Sequence, residues 1–198
     1  MAELGLRSVV RPKKYRSYKG TVGKIAPNLL ERNFTAQRPN QKWVTDVTEF
    51  KVANRKLYLS PVMDLYNGEI VAYELSTRPC FELVTSMLDK ALQQLQDEPK
   101  LVMHSDQGWQ YQHAQYRQKL AAKGVKQSMS RKGNCLDNAA MESFFGTLKS
   151  EFFYLKRFES IEELTAGLEE YIRYYNHDRI KLKLGGLSPV KYRTQAAS

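Results

Sequence analysis

Cysteine is almost missing from this chain. Cys80 and Cys135 are the only two in 198 residues, and neither has metal-type spacing. A disulfide scaffold or zinc knuckle is therefore not expected, and a reducing cytosol suits the chain. Histidine is scarce as well: His104, His113 and His177 lie far apart, and none belongs to a Gly-x-Ser-x-Gly elbow. That spacing speaks against a histidine metal cluster and against a Ser/His hydrolase. No apolar run approaches membrane-spanning length, and the N-terminus has no apolar stretch of the kind a secretory signal carries.

What remains is an ordinary soluble composition, 42% hydrophobic and 26% charged, at a length that suits one domain with a real core. The net charge of +10 is unevenly spread. Residues 1–40 carry nine Lys/Arg against Glu3 and Glu31, a net of +7, and residues 171–198 carry six against Asp178, a net of +5. The body between them, 41–170, has sixteen against eighteen, a net of −2. Basic extensions on a slightly acidic body suit a nucleic-acid binder whose arms neutralise phosphates.

Residues 1–40 show little periodicity and interleave cations with tyrosines around Arg11-Pro12-Lys13-Lys14-Tyr15-Arg16. They read as an extended basic arm in which Lys13, Lys14 and Arg16 are candidate DNA contacts. From residue 42 the pattern becomes that of three successive strands, over 42–50, 56–65 and 69–75, with Asn67-Gly68 marking a hairpin. A helix follows over 81–95, then an apolar strand at 101–103, a helix over about 112–123 and a short strand at 125–129. After the polar loop Ser130–Asn134 a long helix begins at Asp137 or Asn138, either a good N-cap, and another covers about 160–176. The result is an α/β fold with a mixed sheet flanked by helices.

Three carboxylates stand at element ends. Asp46 interrupts the apolar strand Trp43–Phe50, and Asp106 ends Leu101–Ser105 at the carboxyl edge where α/β sheets place ligands. Glu142 opens the long helix, with Lys149 two turns on along the same face. Acids on neighbouring strand ends plus one on a helix can converge on a pair of divalent cations, which clamp the attacking and leaving oxygens of a phosphoryl displacement. On local grounds alone, Asp106 reads equally well as a turn-capping residue, and Lys149 as a solvated lysine.

The ordered segments Trp43-Val44-Thr45-Asp46, His104-Ser105-Asp106-Gln107-Gly108 and Asp137-Asn138-Ala139-Ala140-Met141-Glu142, with Lys149 following, resemble the retroviral-type integrase core. They are most similar to the second-reading-frame (OrfB-type) DDE transposases of bacterial insertion sequences. Thirty-five residues separate Asp106 from Glu142, and Tyr174-Tyr175-Asn176-His177-Asp178-Arg179 resembles the C-terminal signature of that family. The resemblance spans essentially the whole chain. It implies a ribonuclease H-like, five-stranded mixed sheet, with a basic arm at 1–40, a catalytic core at 41–157 and a C-terminal helix with a basic tail at 158–198.

The resemblance further implies that Asp46, Asp106 and Glu142 are a DDE triad binding two Mg²⁺, for which Mn²⁺ can substitute. Three close anions repel one another, so the metal-free site is expected to be partly open, Glu142 most of all. Lys149, Arg131, Lys132 and Arg179 join the arm as DNA-binding candidates. The implied partners are double-stranded DNA and further copies of the chain assembled on it, with no membrane, in a bacterial cytoplasm beside the nucleoid. Two departures stand out: Ile180 is followed by Lys181 where many members have His, and Met1–Leu6 resembles only the last turn of the usual upstream helix-turn-helix region. The chain thus reads as a truncated or separately expressed catalytic piece. A non-catalytic DNA-binding protein, or a ribonuclease H or resolvase-type nuclease on the same fold, are the competing expectations.

Overall fold

The computed structural model describes residues 23–95, 100–131 and 135–196. Lys13, Lys14, Arg16, Lys132 and the Met1–Leu6 segment lie outside them. The strands are β1 (Lys42–Thr45), β2 (Thr48–Val52), β3 (Arg55–Asp64), β4 (Ile70–Ser76), β5 (Val102–Ser105) and β6 (Lys126–Met129). The helices are α1 (Phe81–Gln93), α2 (Trp109–Gln112), α3 (Ala114–Ala122), α4 (Ala139–Leu148), α5 (Ile161–His177) and α6 (Pro189–Ala196).

Six strands stand where five were expected, because the strand over 42–50 is divided at Asp46 and Val47. Its halves keep one register along the same edge of β3, with Thr45 opposite Val62 and Thr48 opposite Leu59. Continued through the gap, that register puts Pro61 opposite Asp46. Proline has no N–H for the ladder, and the Asp46 carboxylate accepts the Val47 N–H itself, at 2.7 Å. β4 covers the other edge of β3, so the sheet has five rows. β1, β5 and β6 run parallel, and β3 is antiparallel to its neighbours.

Helices cover both faces of the sheet, as its parallel half requires. On one face α4 and α5 pack Met141, Phe144, Leu148, Leu164 and Leu168 against Val44, Phe50 and Leu59. On the other, Val84, Met87 and Leu88 of α1 meet Trp43, Val62, Met103, Tyr116 and Leu120. The helix expected over about 112–123 stands as α3, and the short α2 precedes it. Between them His113, in an extended conformation, caps α3, its ring accepting the Gln115 N–H.

The segment over 23–40, expected as part of the extended arm, is laid on this body. Leu30 is buried in the α4–α5 core, and the Leu29 N–H donates to Ser128 Oγ at 2.8 Å. The tail holds one element more than expected. α6 docks on the β3–β4 turn, where Arg193 pairs with Glu69 at 2.8 Å and Asn67 donates to the Pro189 carbonyl. Among the described residues no helix is long and apolar enough to cross a membrane.

Candidate active site

The parallel pairing of β1 with β5 does the first part of the assembly. Val44 lies opposite His104, so two residues further along each strand Asp46 and Asp106 leave the sheet side by side. Their carboxylates are set by local hydrogen bonds. Asp46 takes the Val47 N–H, and Asp106 Oδ1 takes the Gly108 N–H at 2.8 Å. Gly108 is small for a reason: a methyl group there would come within 2.9 Å of Asp106 Oδ1 and 2.8 Å of Gln110 Oε1.

Glu142 sits in the first turn of α4 and is exposed. Its charge nonetheless reaches Asp46. Burial, then the charge of Asp106, then that of Glu142 push the Asp46 carboxyl up to about 8. Burial also raises Glu142. Among the described residues no three acids, histidines or cysteines stand close enough to wrap an ion as they are. Beneath the pair of aspartates lies Tyr111, which is 1% exposed, and whose phenol is raised by burial and then by Asp46 and Asp106.

The 3-10 turn Cys135–Asn138 that leads into α4 is held by Asp137. Its buried carboxylate accepts from Arg131 (N–H and Nε, 3.0 Å each), Arg32 (3.2 Å) and Asn28 (3.1 Å), which keeps it well below the usual carboxylate range. The Asp137 carbonyl accepts from His104 Nε2 at 2.8 Å, while His104 Nδ1 takes the Ser128 hydroxyl, also at 2.8 Å. A carbonyl partner requires the proton on Nε2, and burial lowers the ring's pKa, so His104 is a neutral strut between β5, β6 and α4. Neither expected cap behaves as one. Asp137 clamps the turn, and Asn138 occupies the N-cap position of α4 without a side-chain cap bond.

The remaining candidates fall into two groups. Lys149 opens a π-helical turn over Lys149–Phe153, donates to Thr48 Oγ1 at 2.7 Å and lies 5.4 Å from the Phe50 ring centroid. Thr48, which Lys149 holds, is two residues beyond Asp46 and opens β2. Arg179 is instead paired with Glu151 at 2.7 Å and lies over the Tyr175 ring. Arg131 is half-exposed while bound to Asp137. Sequence reasoning missed the His104 strut, the Asp137 clamp and the tight Gly108 turn. A histidine inside the strand Val102–Ser105 was the one visible sign of the first.

A mixed sheet flanked by helices, with acids at the ends of two parallel strands and on the facing helix, is the ribonuclease H-like architecture to which integrase cores belong. The family model described as integrase core domain matches residues 36–135, and a second of that description matches 142–196. The chain belongs to the transposases of bacterial insertion sequences that carry this core. It is 58% identical over 195 residues to the InsK protein of insertion sequence element IS150 from Escherichia coli, covering 98% of this chain and 69% of that one. To an uncharacterized transposase-like protein of Haemophilus influenzae it is 58% identical over 196 residues, covering 99% and 90%. It is 37% identical over 177 residues to the transposase InsF of IS3A from Escherichia coli, covering 89% and 62%. Among solved structures, the HTLV-2 integrase catalytic core domain superposes with a TM-score of 0.63 at 17% identity, over 79% of this chain and 98% of that one. That likeness shows the fold.

Proposed function

We propose that this chain cleaves DNA strands at insertion-sequence ends and transfers them to a target, using Mg²⁺ held by Asp46, Asp106 and Glu142. The observation that carries the reading is the paired exit of Asp46 and Asp106 from neighbouring parallel strands, with the Glu142 charge within reach of Asp46. The residues fit such an ion. All three donors are hard carboxylate oxygens, the set that suits Mg²⁺ and Mn²⁺. A carboxyl driven up to about 8 by burial, with two neighbouring acids adding to it, is one whose charged form needs a cation beside it. The HTLV-2 core was solved in complex with magnesium, which supports the same metal here.

Magnesium, when bound, supplies the charge that acidifies water or a 3′-hydroxyl and steadies the leaving oxygen, two ions serving the two oxygens. The chain supplies the rest. With magnesium bound, Asp46, Asp106 and Glu142 would hold it as ionised carboxylates. Gly108 and Val47 aim the two aspartates. Lys149 turns from Thr48 to a DNA phosphate. Arg131, Lys132, Arg179 and the arm residues Lys13, Lys14 and Arg16 are further phosphate contacts, and several copies of the chain assemble on two element ends. The chain works in the bacterial cytoplasm, on the nucleoid.

The test is substitution of the acids. Asp46→Asn and Glu142→Gln should abolish Mg²⁺-dependent nicking of element-end duplex, a loss of at least about a thousandfold, while DNA affinity stays near the parent value. Parent-like cutting by either variant would sink the assignment. A preference for hybrid duplex or branched junctions over element ends would redirect it to a ribonuclease H or resolvase-type nuclease.

A further inference from the structure

One buried amide in the site is poorly satisfied, with Asp46 as the neighbour it acts on. Asn138 is 5% exposed, and neither its amide nitrogen nor its amide oxygen has a hydrogen-bond partner among the described residues. A buried amide left so costs about 1–3 kcal/mol. Helix capping does not account for it, because Asn138 makes no cap bond although it holds the N-cap position of α4. Its backbone is fixed from outside: the preceding carbonyl receives the His104 proton and the preceding carboxylate is clamped by two arginines. Glu142 follows it four positions on, so the two stand one turn apart on one side of the helix. The amide lies within hydrogen-bonding influence of Asp46 and draws that carboxyl's pKa down, against the upward effects of burial and the two neighbouring acids. Asp46 already spends one oxygen on Val47.

We propose that Asn138 is a positioning residue of the metal site: its amide N–H donates to the Asp46 oxygen that Val47 leaves over, and its amide oxygen accepts from water entering with the cation. The uncapped helix start and the unpartnered amide are then one feature, since an asparagine that capped α4 would have no atoms left for the ion. The inference rests on the metal-binding reading of the three acids.

The experiment titrates Mn²⁺ into the full chain by calorimetry without DNA, and melts the metal-free protein, for Asn138→Ala, Asn138→Leu and Asp46→Asn. For the two Asn138 variants the half-saturating Mn²⁺ should rise about tenfold, as for loss of an outer partner of a metal ligand. The metal-free Tm should hold or rise, because an unsatisfied amide has been removed. Unchanged Mn²⁺ affinity in Asn138→Ala overturns the proposal. So does a fall of more than about 5 °C in both variants, which would mark the amide as holding the fold together. Asp46→Asn separates the two readings. If it takes up Mn²⁺ as the parent does, the metal site itself is wrong; if it fails while Asn138→Ala binds normally, only the role of the amide falls.

Discussion

At the scale of single residues, Asp46 carries a conflict between stability and use. Its carboxyl is raised from 3.8 to about 8 in the folded chain, so the native state binds the proton more tightly than the unfolded one. Stability of the metal-free protein then falls as pH climbs from about 4 to about 8, and the deficit persists above that window. Asp46→Asn removes the charge at nearly constant shape. In chelator the variant should melt higher than the parent at pH 8 and level with it at pH 4, a difference read from paired thermal scans. Metal affinity runs the other way, since a cation binds only the ionised carboxylate and gains with rising pH over the same window. Gly108 makes a second residue-scale case. Gly108→Ala sets a methyl group 2.9 Å from Asp106 Oδ1 and should cut the nicking rate by about ten- to a hundredfold through misplacement of the carboxylate, with little change in DNA affinity.

At the scale of elements, long-range polar contacts hold the pieces in place. Asn176, in the last turn of α5, accepts from the Ile70 N–H and donates to the Ile70 carbonyl, at 2.9 Å each, and so serves as one more rung at the free edge of β4. Asn176→Ala removes both bonds at a cost of about 1–3 kcal/mol, a fall in Tm of roughly 4–8 °C, measurable by calorimetry or circular dichroism. The Tyr-Asn-x-x-Arg signature is thus structural as well: Tyr175 is buried in the core and Arg179 is paired with Glu151. How much of this could be read beforehand follows from where each signal resides. Asp106 and Glu142 showed themselves by standing at pattern changes, and strands β3 and β4 by alternation around Asn67-Gly68. The division at Asp46 was hidden because Val, Thr and aromatic residues run on both sides of it; the residue that opens the ladder, Pro61, is on the partner strand. The partner of Asn176 is 106 residues away, and no local pattern reports it. Asn138 looked like a cap because its residue type and position were right; only the missing bond says otherwise.

At the scale of the whole molecule, charge and topology divide the labour between the ends of the chain. The first described residues lie against α2: the backbone at Gly23 packs on Gln112, which donates to the Gln107 carbonyl next to Asp106. Gly23 itself thus sits on the side of the two aspartates. The C-terminal helix α6 docks instead at the β3–β4 turn, and Asp64 there pairs with Trp43 at the beginning of β1, the end away from Asp46. Replacing Lys13, Lys14 and Arg16 with Ala should weaken binding to all duplex sequences alike and flatten the salt dependence by about 0.9 per lost phosphate contact, read from titrations at several salt concentrations. An unchanged slope would remove the arm from the DNA path.

The parallel pairing of β1 with β5 acts as a ruler. Two acids sixty positions apart in the chain are spaced by an interval of about 4.8 Å that every sheet shares, and no neighbouring side chain has to hold it. Glu142 enjoys no such guarantee, since its helix hangs from a turn pinned by one carboxylate and one imidazole. Variation that retunes this enzyme without destroying it should therefore gather on the clamp residues Arg32, Arg131 and Asp137, while the strand ends stay as they are.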